Sequence, residues 1–74
     1  MDLLTANINQ PYIITNFQIE DKHLEKRLNE FGIIKGKTIR VLKFSPRKKT
    51  LLVSLLGTAF ALKSEIAKQI LVEL

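Results

Sequence analysis

The chain has 74 residues, of which 46% are hydrophobic and 26% charged, with no cysteine, one histidine and a formal net charge of +5. That length allows one domain with a small core, and the composition is far from the low hydrophobicity of disordered chains. No disulfide or thiolate–metal staple is possible, so folding must rest on packing, while the positive charge favours acidic partners without deciding the fold.

At the amino end, Asp2 stands where a secretory signal would carry positive charge, and the chain reads as cytoplasmic. Pro11 marks the start of a first strand over 12–19, where Tyr12, Ile13, Ile14, Thr15, Phe17 and Ile19 supply β-branched and aromatic residues suited to a pleated surface. The pattern then changes to helical. Leu24, Leu28 and Phe31 fall at i, i+4 and i+7 and predict an α-helix over about 21–31 with those residues on its core face. Asp21 is placed to accept hydrogen bonds from first-turn amides, and Gly32 to close the helix in a left-handed conformation. The opposite face, with Lys22, Glu25, Lys26, Asn29 and Glu30, is solvated or binds a partner.

Lys35-Gly36 turns the chain into a second strand over 37–44, in which Ile39 and Val41 alternate with Thr38 and Arg40. Leu42 and Phe44 sit on the other parity, which predicts a bend or bulge. Residues 45–49 form a polar turn and 50–56 the returning strand, so 37–56 read as a hairpin with a basic tip. A tighter turn at Gly57-Thr58 leads to a short strand over 59–63, a helical turn near 64–68 capped by Ser64, and a last strand over 69–74. Residues 51–62 carry no charge, but a spanning helix needs about 20 apolar residues, so this stretch reads as two buried strands.

No repeat, low-complexity tract or linker divides the chain, and residues 1–74 are expected to form a single domain. Mainly β structure with one helix suggests a small SH3-like five-stranded barrel, which closes most strand edges around a small core. The alternative is an open α+β sheet with the helix packed across one face.

The chemistry expected of an enzyme is missing. Gly32, Gly36 and Gly57 stand apart, each with a turn to make, so no glycine-rich phosphate loop exists. No catalytic role, cofactor or small-molecule substrate is expected. Glu20, Asp21 and His23 lie together at the helix start, but acidic residues there complement the helix dipole and His23 reads as solvated, so no metal site is expected either. The sharpest surface feature is Arg47-Lys48-Lys49 with Arg40 and Lys43 on the strand leading into it. This cluster reads either as a solvated hairpin tip or as a partner site. Adjacent cations steer association more than they hold it, so such a site needs an apolar anchor, Phe60 or Phe44.

The ordered set Leu24, Arg27, Leu28, Gly32, Gly36, Gly57, Ala61, Leu62 and Lys63, with the closing Ala67, Ile70 and Val72, resembles the FeoA family over nearly the whole chain. Lys35 stands where that family commonly has proline, Phe31 where it has leucine, and Asn9-Gln10 where a glycine often precedes the first strand. Phe31 is expected to keep its core position. The resemblance implies an SH3-like barrel acting in bacterial ferrous iron uptake. It implies regulation by contact with the cytoplasmic, GTP-binding part of the permease FeoB, through which the protein would be recruited to the inner face of the membrane. The competing readings are a small basic nucleic-acid-binding barrel, which needs stacking aromatics beside its cations, and a transcriptional co-regulator resembling the tail of iron-responsive repressors.

Overall fold

The computed structural model describes residues 1–74. Its strands are β1 (Tyr12–Phe17), β2 (Thr38–Phe44), β3 (Thr50–Leu55), β4 (Thr58–Lys63) and β5 (Ile70–Glu73), with helices α1 (Lys22–Glu30) and α2 (Ser64–Ala67). Two short 3-10 turns, Leu3–Thr5 and Pro46–Lys48, complete the regular structure. The five strands pair antiparallel in the order β4-β3-β2-β1-β5. No ladder joins β4 to β5, so the sheet is bent and open, not closed into the expected barrel.

The bend comes from β2. Its first residues pair with β1, Ile39 opposite Tyr12, while its later residues pair with β3, Val41 opposite Val53. The register shifts between Val41 and Lys43, the bulge that the parity change at Leu42 predicts. A second shift lies in β1 between Ile14 and Asn16. β1 also stops at Phe17, two residues short of the expected end.

Fifteen buried residues, all hydrophobic, form one core. Ile14, Ile39, Val41, Val53, Ile70 and Val72 supply it from the sheet, and Leu28 reaches it from α1. Tyr12 is 2% exposed, and its hydroxyl accepts a hydrogen bond of 2.9 Å from the Asn7 amide, which removes the cost of burying that oxygen.

The ends of α1 match their sequence signals. Asp21 Oδ1 accepts from the His23 amide at 2.9 Å and the Leu24 amide at 3.3 Å. Gly32 follows at φ +90°, and a Cβ there would stand 3.1 Å from Leu55 Cδ2, so glycine lets the helix end close against the β3–β4 hairpin. Phe31 departs from expectation. The helix ends at Glu30 and Phe31 is its C-cap, so the ring leaves the core-facing stripe and is 62% exposed.

The two sheet edges are finished differently. At β5 the amino-terminal segment continues the pairing: Asp2 bridges to Leu71, and the Val72 amide donates to the Met1 carbonyl at 2.8 Å. Asp2 caps the following turn by accepting from Thr5, and Leu3 and Ala6 seat the segment in the core. At β4 no segment covers the outer side.

The β3–β4 turn is Leu56-Gly57, one residue earlier than expected, with Leu55 opposite Thr58. Both turn residues have positive φ, 53° for Leu56 and 80° for Gly57, as a type I′ hairpin requires. Leucine is a poor choice for that conformation, and Leu56 is also 70% exposed. Lys63, not Ser64, is the N-cap of α2.

Candidate functional site

Cross-strand partners share a face of a sheet, and along each strand the faces alternate. Arg40, Ser54 and Ala59 form one row, and Lys43, Leu52 and Ala61 another, both on the outer face. Val41, Val53 and Phe60 form a row on the core face, as do Phe44, Leu51 and Leu62. Phe60 therefore lies on the face opposite Arg40 and Lys43. The expected partner site is thus divided in space, because residues 60 and 61 point to opposite sides.

The basic tip is built tightly. Ser45 and Thr50 close it, with the Ser45 amide donating to the Thr50 carbonyl and the Thr50 amide to Ser45 Oγ, both at 2.9 Å. Within it Arg47 and Lys48 take φ of 62° and 52°, and Lys48 Nζ sits 4.6 Å from the Phe44 ring centroid, a cation–π distance. Arg40 turns away from this tip toward the Asn9 carbonyl, 3.4 Å from its guanidinium. Lys43 and Lys49 are exposed near the tip. The tip is a cationic surface whose one neighbouring aromatic, Phe44, is already covered by Lys48.

Phe60 belongs to a different feature. Between α1 and β4 runs a groove of about 450 Å³ whose lining is mostly hydrophobic. Leu24 and Phe31 form its helix wall, Phe60 and Leu62 its strand wall, and Ile66 of α2 closes one end. The Phe31 and Phe60 rings meet with centroids 5.8 Å apart and a 30° tilt, within the range of favourable aromatic pairs. Arg27 and Lys63 are the charged lining residues, and no carboxylate lines the groove. An apolar trough with a cationic rim suits an apolar segment that carries acidic groups.

Sequence reasoning placed Phe60 among the anchors but missed its partners. Arg27, Phe31 and Lys63 were legible as residues, yet only the fold brings α1 beside β4. At the helix start, one Asp21 carboxylate oxygen is engaged by two amides, and Glu20 and His23 are exposed. No group of three His, Cys, Asp or Glu side chains stands together anywhere in the chain. No helix is long and apolar enough to cross a membrane.

The model of the FeoA domain matches residues 1–74. No curated protein gives a match. Among solved structures, iron(II) transport protein A from Clostridium thermocellum aligns with a TM-score of 0.91 at 20% identity, over 100% of this chain and 45% of that one. This chain thus spans less than half of that relative. FeoA from Stenotrophomonas maltophilia, a zinc complex described as a prokaryotic SH3 domain protein, aligns with a TM-score of 0.83 at 28% identity, over 99% and 89% of the two chains. ScaR with bound Cd2+ aligns with a TM-score of 0.86 at 28% identity, over 100% of this chain and 35% of ScaR.

Proposed function

Because the chain belongs to the FeoA family, which is tied to ferrous iron transport, we propose that it regulates ferrous iron uptake by binding the cytoplasmic, GTP-binding part of a FeoB-like permease. The match of all 74 residues to the FeoA domain carries this reading. The chemistry of the surface supports it. A small domain with an open apolar groove and a cationic rim is equipped to bind a protein face. The basic tip, with Arg47, Lys48 and Lys49, supplies long-range steering toward an acidic partner, and Phe60 in the groove supplies the apolar contact. In this reading the protein works at the cytoplasmic side of the membrane, recruited there by the permease and regulating its GTP turnover.

The nucleic-acid reading is disfavoured by the placement of the aromatics. Tyr12 is buried, Phe17 packs against the core, Phe44 is covered by Lys48, and Phe31 and Phe60 pair with each other beside the groove. The cations of the tip are left without free rings on which bases would stack. Co-purification of the chain with the permease's cytoplasmic part, and a change in that part's GTP turnover on adding the chain, is the expected result. Absence of any complex at micromolar concentrations of both proteins contradicts the proposal.

A further inference from the structure

The β4 strand has an edge that is unused, and its polarity can be read from the hairpin. In a two-residue hairpin the residues flanking the turn exchange both backbone hydrogen bonds, and such pairs then alternate with pairs whose N–H and C=O groups point away from each other. Leu55 with Thr58, Val53 with Phe60 and Leu51 with Leu62 are therefore the bonded pairs. The Ser64 amide continues the same series by donating to the Lys49 carbonyl at 3.0 Å. Ala59 and Ala61 must then direct their N–H and C=O groups off the sheet. β4 pairs with β3 alone, and neither alanine amide donates within the chain outside that ladder.

Natural sheets blunt such edges with charge, proline or a covering segment. This chain covers its other edge with Met1 and Asp2 but leaves two alanines, the smallest side chains of a strand, along β4. The free edge also borders the groove: the Ala61 side chain lies on the outer face, yet the residue lines the groove between Phe60 and Leu62. A strand edge and a helix on either side of an apolar trough form a slot for one extended peptide. Main-chain bonds to the edge give affinity, and alternate side chains enter the trough. The rim selects the peptide's charge, since Arg27 and Lys63 stand on the two sides and no acidic residue lines the slot.

We infer that β4 and α1 together bind an extended segment of a partner protein, alternating apolar and acidic residues, which adds to the sheet as a sixth strand beside β4. The inference rests on the partner-binding function proposed above and names its surface and its mode. The peptide's apolar side chains contact Leu24, Phe31 and Phe60, its carboxylates meet Arg27 and Lys63, and its backbone bonds to Ala59 and Ala61. The basic tip is a separate surface and does not take part in this contact.

The probe is an acetylated, amidated six-residue peptide of alternating valine and glutamate, titrated into isotope-labelled protein and followed by NMR. The expected result is saturable shifts at Ala59, Ala61, Leu24 and Phe60 and slowed exchange of the Ala59 and Ala61 amides. Methylating alternate amides of the peptide leaves its side chains intact but removes its edge donors, and this should weaken binding by about tenfold or more. Ala61→Pro deletes an outward donor at a position where an edge strand tolerates proline, and it should abolish binding in a folded protein. Arg27→Glu with Lys63→Glu should weaken binding by about tenfold and favour the lysine-for-glutamate peptide instead. No shift at millimolar peptide, equal binding of the methylated peptide, or a dimer in the free protein whose edge amides are already protected each overturns the inference. Permease binding that survives Ala61→Pro unchanged also overturns it while leaving the proposed function standing. Failure of the permease to bind the unmodified chain counts against that function alone, and the peptide titration still decides the edge.

Discussion

The two edges of the sheet solve the same problem in opposite ways. β5 is an edge strand in sequence order of pairing, yet its outer amide at Val72 already donates to Met1, and Leu3 anchors the covering segment in the core. β4 is equally peripheral, but its outer groups at Ala59 and Ala61 pair with no segment of the chain, and Ala61 lines the apolar groove. The difference shows that exposure of a strand edge here is selective. A chain that lays Met1 and Asp2 along one edge has left unpaired the one that borders a helix and two cations.

The sharpest way to break this contrast is to damage the covered edge. Leu3→Ala removes a side chain with no exposed surface and should cost about 2–5 kcal/mol in urea denaturation, a large share of the stability of so small a domain. A loss below about 1 kcal/mol would mean that the segment does not hold the edge. Proline substitution compares the two edges on equal terms. Val72→Pro deletes a made hydrogen bond and repacks a fully buried site, for an expected loss of about 3 kcal/mol or more. Ala61→Pro deletes an outward donor with no partner and should cost within about 1 kcal/mol. Equal losses at the two positions would erase the distinction between the edges.

A smaller effect concerns the turn that carries the open strand. Asparagine suits the first position of a type I′ turn far better than leucine, so Leu56→Asn should raise stability by about 0.5–1 kcal/mol. Thermal unfolding reads this gain directly, and a loss would show that the exposed leucine side chain packs in a way its 70% exposure does not suggest. The smallest change in stability is expected for Arg27→Glu with Lys63→Glu, within about 0.5 kcal/mol, since neither cation is held in a bond that the fold needs.

Much of the frame was legible from residues with local roles. Asp21 and Gly32 punctuate α1 by hydrogen bonding and by φ, and the parity change after Val41 marks the bulge in β2. Features that depend on distant partners were not. Leu3 and Ala6 carry no periodicity that would announce an edge-covering segment, and Leu56 does not announce a turn, since leucine seldom accepts a positive φ. Phe31 fits the helical stripe by spacing alone, but the helix stops one residue earlier and releases the ring toward Phe60. The groove followed from none of these singly, since it exists only where α1 meets the edge of β4.

Amide hydrogen exchange at Ala59 and Ala61, measured in the free protein and again in complex with the permease's cytoplasmic part, tests the open edge most directly. Fast exchange in the free chain and strong slowing in the complex, with Val72 protected in both, is the predicted result. Ala59 and Ala61 amides that are slow in the free protein, or equally fast in both states, would contradict it.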